Sequence, residues 1–392
     1  MAEINLIDPL RSPCVVRASK LRLIVHLDDD PRPSGRNIAN HNFAYLRSFA
    51  APVLELSVRS YRIENFTGPD GLRLHEEASP QPGPLEVVIR LRASSLNFRD
   101  GMIMNGHFGS RVSPGIVPLS DGAGEVTAVG ERVTRCKPGD RVMPIFHQHW
   151  IGGSRPRGLM LGLGGDTDGT LRDYIMVKED GVTPIPDHLS FEEAAALPCA
   201  AVTAWCGLVQ QFPLLPGETV VTQGTGGVSI FALQFAKLFG ARVISTTSSD
   251  EKAEKLRALG ADAVVNYKAT PDWDQEVMKL TDGMGADVIV EVGGAGTLGK
   301  SFKCAHADTR IAIIGLLAGA SGGEGFDFMS WLAKTYRTGV GSRDHFEQMN
   351  RAISYHKLRP VIDRVFGFDE AREAIAHFTA QKHVGKVVIS HD

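Results

Sequence analysis

The run Thr219-Val220-Val221-Thr222-Gln223 passes directly into Gly224-Thr225-Gly226-Gly227-Val228-Ser229 and then into a long apolar stretch over residues 228–239. A strand, a glycine turn and a helix in that order constrain the fold more than anything else in the chain, because they open a dinucleotide-binding βαβ unit. Gly224 permits the tight turn, and Gly226 and Gly227 let the backbone approach a pyrophosphate. That anion would rest beside Val228 on the free N–H groups and positive dipole end of the following helix. Ser229 stands where a third glycine is usual and costs some closeness between helix and strand. A glycine turn with a purely structural use is the alternative, and the flanking elements weigh against it.

Strand-like and helix-like segments alternate from residue 219 to residue 315. Candidate strands are residues 219–223, 242–246, 263–266, 287–291 and 310–314, with helical stretches at 228–239 and 250–259 among the connections. The first helix is apolar nearly all round, Gln234 and Lys237 being its main polar positions, as burial against a sheet requires. This alternation predicts a parallel doubly wound sheet whose ligand site lies beyond the carboxyl ends of its strands. Earlier, from about Leu54 to about residue 190, short β-like runs are punctuated by Pro82-Gly83-Pro84, Val129-Gly130-Glu131 and Lys137-Pro138-Gly139-Asp140. They suggest a small barrel-like β domain. Ser190 with Glu193 reads as a capping box that opens a helix. After Val340 the texture is mixed, with a helix at 369–378 and a last strand at 386–389.

At 392 residues the chain is long enough for two domains, and its 43% apolar and 22% charged residues are those of a soluble globular protein. A net charge of −3 argues against nucleic acid as a partner. No apolar run of about eighteen residues offers a membrane span. The five cysteines, Cys14, Cys136, Cys199, Cys206 and Cys304, are scattered and read as reduced thiols of a cytoplasmic protein. Residues 1–55 lack the pattern of a secretory signal. Arg11, Arg17, Lys20 and Arg22 hint at a transit-like segment that Asp28, Asp29 and Asp30 spoil, so an extension without chemistry is expected.

The strand after the glycine turn selects the dinucleotide. An NAD site of this type needs an Asp or Glu about twenty residues after the glycines, to bond the ribose 2′-hydroxyl. Here the chain reads Ser245-Thr246-Thr247-Ser248-Ser249, small hydroxyls that accommodate the 2′-phosphate a carboxylate would repel. Lys252 supplies a positive charge, unless it is simply a solvated helix lysine. Asp250 falls in the first turn of a helix that Ser248 and Glu251 are expected to cap, so it is not read as the ribose acid. NADP(H) is the expected cofactor.

Together with Asn97-Phe98-Arg99-Asp100 and Leu119-Ser120-Asp121-Gly122-Ala123-Gly124-Glu125, these residues resemble the medium-chain dehydrogenase/reductase superfamily. Within it the chain is similar to the zinc-independent quinone-oxidoreductase-like and alcohol-dehydrogenase-like branch. The resemblance covers residues 56–392. It implies an α/β fold in which a Rossmann doubly wound parallel sheet is inserted in a GroES-like β-rich catalytic domain. The implied division is an N-terminal extension at 1–55, a first catalytic part at 56–198, a Rossmann NADP-binding domain at 199–338 and a catalytic C-terminal part at 339–392. It also implies hydride transfer with a small-molecule substrate in the cleft between the domains, often within a homodimer. By position it adds Thr203, Gly315 and Ser342 at the nicotinamide end, Tyr267 with Lys252 at the 2′-phosphate, and Lys386 as a further contact near the cofactor.

In the zinc alcohol dehydrogenases of this superfamily, a Cys, a His followed by Glu, and a second Cys hold the catalytic metal. Asn97 stands at the position of the first Cys and Ser120-Asp121 at that of His-Glu, and only Cys199 keeps its type. The four-cysteine lobe of the structural zinc is missing as well, its region reading His147-Gln148-His149-Trp150. Asn and Ser are poor zinc ligands, so no metal is expected. His147 and His149 would share one face of a strand but lack a third ligand. Without a Lewis acid, substrates that delocalise their own charge become the easier ones. The expected activity is therefore NADPH-dependent hydride transfer to a quinone, enone or activated carbonyl. Asn97, Arg99 and Ser120 are the candidate donors to the developing charge. Each has a plainer alternative: Asn97 holding a barrel turn, Arg99 as a surface charge, Ser120 as a small residue chosen for fit. Asp100 is read as capping the helix-like stretch after it, and Asp121 as satisfying backbone groups beside Gly122. Two other functions stay open, a zinc-independent NADP-dependent alcohol dehydrogenase and a cofactor-binding protein without turnover.

Overall fold

The computed structural model describes residues 57–158, 161–315, 317 and 333–392, together with two short strands at 16–18 and 21–23. The chain divides into two units, Met1–Leu54 and Glu55–Asp392. Of the first, Val16–Ala18 and Leu21–Leu23 pair antiparallel; the rest of the expected extension lies outside the described residues. Among the described residues no helix is long and apolar enough to cross a membrane.

In the second unit, the described residues include a sheet of six parallel strands. Their order is Ala263–Asn266, Arg242–Thr247, Thr219–Gln223, Ala286–Glu291, Ala305–Ile313, Lys334–Arg337. The order runs outward in both directions from Thr219–Gln223, so the crevice of this doubly wound sheet opens at the carboxyl end of that strand. Val220, Val221, Val243, Ile244, Val288, Ile289 and Val290 are buried, the continuous apolar pattern of strands covered on both faces. The helix Gly227–Leu238 supplies part of that cover through Ile230, Phe231, Ala232, Leu233, Phe235 and Ala236. Its two polar positions turn away from the sheet, the Gln234 amide to the Arg359 carbonyl and the Lys237 ammonium to Asp262. All five expected strands are present, although the last begins at Ala305 rather than at residue 310. The sixth, Lys334–Arg337, was not expected: it is a polar edge strand with only Tyr336 buried.

The other sheet runs Ile362–Gly367, Lys386–Ser390, Glu86–Ser95, Asp121–Val129, Arg141–Pro144, Val182–Pro184, with Tyr174–Lys178 also paired to Glu86–Ser95. The chain leaves this sheet, builds the parallel one, and returns to lay Lys386–Ser390 antiparallel on Glu86–Ser95, with Val388 opposite Ser95. Ser190 opens the helix Phe191–Ala195 with the expected reciprocal bonds to Glu193. No local sequence signal announces the next three elements, a π-helical turn at Leu197–Ala201, a short α-helix at Val202–Trp205 and a second π-helical turn at Cys206–Gln210. One apolar core joins the sheets: Ala93, Ala123 and Met143 share a cluster with Leu197, Ala200, Phe231 and Phe235.

His147 and His149 do not share a strand face. They lie in a turn after Arg141–Pro144, His147 buried and His149 exposed, because the strand ends at Pro144.

Burial pushes the imidazoles of His147, His383 and His391 down to about 4. The same cause pushes the Asp100 carboxyl up to about 6. A histidine depressed in the folded state stabilises the fold above its unfolded value of about 6.5, and that contribution is lost as pH falls towards 4. Asp100 acts in the opposite sense, weakening the fold as pH rises from about 4 to about 6. With three groups against one, the urea midpoint should fall between about pH 7 and about pH 5. An equal or higher midpoint at the lower pH would mean that these histidines do not govern the acid limb.

Candidate active site

The glycine turn is built as its sequence requires, with a division of labour among its residues. Gly224 has a φ of +74°, a conformation that side chains disfavour. A Cβ on Gly226 would meet nothing within 4 Å. The helix Gly227–Leu238 starts there without a side-chain cap, so its first amides and positive dipole end face that space. Gly227 differs. A Cβ on it would lie 2.7 Å from Lys386 Cδ and 3.1 Å from Ala200 Cβ, so this glycine serves close packing of protein on protein. Ser229 Oγ donates to the Gln223 carbonyl at 2.6 Å, a bond that offsets the closeness lost with the third glycine.

At the neighbouring strand ends, Ser249 rather than Ser248 caps the helix Asp250–Ala258, its Oγ accepting from Lys252 N at 3.3 Å. Ser248 is left half-buried just outside the helix. The Asp250 carboxylate accepts from Asn266 Nδ2 at 2.8 Å. Tyr267 N donates to the Thr247 carbonyl at 2.9 Å, which sets its partly exposed ring at the end of Arg242–Thr247. The Lys252 ammonium donates to the Gln381 carbonyl at 2.9 Å. Burial lowers its pKa, with Asp363 opposing. Ser248 and Tyr267 thus directly follow the strands Arg242–Thr247 and Ala263–Asn266, and Lys252 lies in the first turn of the helix after the former, its ammonium turned to Gln381.

The second gathering is interior. Lys386 is 2% exposed, and its ammonium donates to the Leu96 carbonyl at 2.7 Å, to Asn97 Oδ1 at 2.7 Å and to Asp121 Oδ2 at 3.3 Å. Asn97 Nδ2 donates to Ser120 Oγ at 3.4 Å, and Ser120 Oγ donates to Asp121 Oδ1 at 2.9 Å. Ser95 Oγ approaches Asp121 Oδ2 at 3.4 Å. Asp100 accepts from Asn97 N at 2.8 Å and holds the start of the helix Phe98–Met104 from within it, as its third residue, rather than capping a helix after it. The Asp121 carboxylate meets Ser120 and Lys386 side chains rather than the backbone groups expected. Lys386 was expected beside the cofactor. Its stem does pass the glycine turn, but its charge is spent inside the donor cluster. Arg99 is corrected too: its guanidinium serves the Leu161 and Leu163 carbonyls and Asp100 while lying over the Phe146 ring. It braces the glycine-rich loop and is not free to meet a substrate.

These donors do not fit a zinc ion. Asn97 and Asp121 already face an ammonium, Ser120 spends its proton on Asp121, and desolvation, with Asp121 adding to it, pushes the Cys199 thiol above its ordinary value. Zinc calls for thiolate or imidazole. Among the described residues, no group of His, Cys, Asp and Glu is arranged to hold a metal.

Sequence reasoning missed the Glu291 hub at the end of Ala286–Glu291. Its fully buried carboxylate accepts from Gly293 N, Gly294 N and Thr297 Oγ1 on one oxygen, and from Gln223 Nε2 and Ser301 Oγ on the other. It ties the last residue before the glycine turn to the start of the helix Ala295–Lys303. An acid closing an apolar strand ahead of paired glycines was the available signal. Gly315 packs against Val292, whose carbonyl would lie 2.2 Å from a Cβ there. Thr203 is buried in Val202–Trp205, and Ser342 caps the helix Arg343–His356 by accepting from His345 N. Neither reaches the donor ring by a hydrogen bond of its own.

Residues 83–187 match the family model of the alcohol dehydrogenase GroES-like domain, and residues 227–354 match that of the zinc-binding dehydrogenases. A zinc-type alcohol dehydrogenase-like protein of Schizosaccharomyces pombe is 40% identical over 84% of this chain and 98% of its own length. The chain belongs to the medium-chain dehydrogenase/reductase superfamily. It is an oxidoreductase of that superfamily, with the GroES-like domain and parallel Rossmann sheet the sequence led us to expect. A quinone oxidoreductase of Pseudomonas aeruginosa is 30% identical over 83% of this chain and 97% of its own. Among solved members of the superfamily, an NAD-dependent alcohol dehydrogenase superposes with a TM-score of 0.78 at 33% identity, covering 85% of this chain and 100% of that one. The 2-octenoyl-CoA carboxylase reductase CinF, solved with NADP and 2-octenoyl-CoA, superposes at 0.75 with 26% identity, covering 87% and 89%.

Glu291→Gln should destabilise the fold by about 1–3 kcal/mol, because an amide NH2 would face donors at whichever oxygen it replaces. Urea unfolding reads this directly, and an unchanged midpoint would mean that the hub is not formed.

Proposed function

We propose that this oxidoreductase reduces a quinone, an enone or another activated carbonyl compound with NADPH and without zinc. The observation that carries the reading is the closed ring of Lys386, Asn97, Ser120 and Asp121, which offers an amide donor where the zinc alcohol dehydrogenases have metal ligands. A quinone or enone spreads the charge it gains over its own π system. A few neutral donors in a dry cleft, worth roughly a few kcal/mol, then suffice where an alkoxide would need a metal.

The amides that open the helix Gly227–Leu238 would hold the pyrophosphate, the Gly224 N–H being donated to the Thr246 carbonyl at 2.8 Å, and Ser248, Lys252 and Tyr267 would meet the 2′-phosphate. Bound there, the reduced nicotinamide supplies the hydride. Asn97 would donate to the substrate oxygen, with Ser120 holding the amide. The lack of a carboxylate at the end of Arg242–Thr247, the half-buried Ser248 just beyond it and the engagement of Asp250 by Asn266 support NADPH over NADH. CinF, with its NADP, points the same way; the NAD-dependent dehydrogenase points the other.

The likeness to alcohol dehydrogenases favours a second reading, oxidation of an alcohol whose product is conjugated. A panel followed by NADPH absorbance separates the two. Quinones and enones should be reduced at a rate a chelator leaves unchanged, while simple primary alcohols with NADP⁺ give no signal. Chelator-resistant turnover of those alcohols would favour the second reading, and NADPH binding without turnover of any acceptor would refute both.

Metal analysis should find well under one zinc per chain, and stoichiometric zinc would contradict a metal-free site. For cofactor choice, Lys252→Ala should weaken NADPH by about tenfold while changing NADH little. Equal losses by isothermal calorimetry would remove Lys252 from the phosphate site.

A further inference from the structure

We infer that Lys386 is a positioning residue: its ammonium fixes which way the Asn97 amide points, and its stem ties that orientation to the dinucleotide seat. The inference rests on the reading of Asn97 as the substrate-facing donor. An ammonium has three hydrogens and no lone pair, and Lys386 directs them at the Leu96 carbonyl, Asn97 Oδ1 and Asp121 Oδ2. The asparagine atom facing it must therefore be the oxygen, which decides between the two amide flips. Nδ2 is then turned to Ser120 Oγ, whose own proton goes to Asp121, so its lone pairs are available to receive. The four side chains close a ring in which donation runs from Lys386 to Asp121 by two routes, directly and through Asn97 and Ser120. Nδ2 carries two hydrogens and the ring uses one, leaving a donor for a ligand oxygen.

The lysine reaches this ring from the cofactor side. Its Cδ is 2.7 Å from where a Cβ on Gly227 would stand. The preceding residue, Gly385, donates its N–H to the Thr225 carbonyl at 2.9 Å, inside the glycine turn. A contact with the dinucleotide phosphates is the competing role for Lys386, and it makes a different demand: the charge would have to face the turn. It faces Asn97 and Asp121.

Lys386→Met alone strands the buried Asp121 carboxylate and invites misfolding, so the informative variant is Lys386→Met with Asp121→Asn, checked for native circular dichroism. The first readout needs no turnover. With selective ¹⁵N-asparagine labelling, and the Asn97 side-chain pair assigned by its loss in Asn97→Ala, those resonances should be protected from hydrogen exchange in the parent. In the double variant they should shift and lose protection. Unchanged resonances overturn the inference. The second readout is kinetic. NADPH affinity should stay within about twofold while kcat falls at least about tenfold, and the loss should not add to that of Asn97→Ala. Additive losses, or a fall in NADPH affinity that accounts for the whole effect, also overturn it. If the resonances respond as expected but Asn97→Ala leaves turnover untouched, the donor role of Asn97 fails, and the positioning of its amide stands.

Discussion

The Thr225 carbonyl accepts from Gly385 N, and Thr225 Oγ1 reaches back to the His383 carbonyl. These bonds sew the turn of the parallel sheet to the approach of the last strand of the other sheet, and much of the site depends on them. Lys386 comes directly after Gly385, so the seam fixes where its stem begins. The stem passes Gly227 and ends among Leu96, Asn97 and Asp121. The place where phosphates would rest and the place where an amide donor is held are thus set by the same short stretch of backbone, with no long loop between them.

Burying an ammonium and a carboxylate costs desolvation that their attraction repays only when every remaining donor and acceptor is matched. Here the matching is close: three acceptors for Lys386, with Ser120 donating to Asp121 while Ser95 gives its proton to the Ala195 carbonyl at 2.8 Å. Glu291 follows the same rule with backbone amides and hydroxyls in place of a cation. Well-packed apolar residues often do as well for stability as a buried ion pair. Both networks lie where the chain turns from strand to helix beside the crevice, which is where directed polar groups are of use.

The parts of this arrangement that could be read from the sequence are the ones encoded locally. Thr219–Gln223 is a β-branched run stopped by glycine, Ser190 and Glu193 are three residues apart, and the apolar circumference of Gly227–Leu238 states its burial. What stayed hidden depends on distant partners. Lys334–Arg337 carries no apolar alternation because it is an edge, and adjacent serines at 248 and 249 compete for one cap that only the backbone path decides. Arg99 looked like a free charge, since nothing local reveals that a long side chain will fold under the carbonyls of Leu161 and Leu163. Lys386 and Asp121 are far apart in the chain, and neither advertises the other. The fold and the glycine turn were legible for that reason, and the detailed wiring of the buried polar groups was not.

The return of the last strand has a consequence for how the molecule is made. Lys386 bonds Leu96 across 290 positions, and the strand it begins lies beside Glu86–Ser95 in the interior of its sheet. During synthesis that slot stays open until residues 386–390 have left the ribosome, while the parallel sheet, whose strands come one soon after another, has its own partners earlier. Loss of residues 386–390 would therefore expose both flanks of a central gap to pairing with other chains.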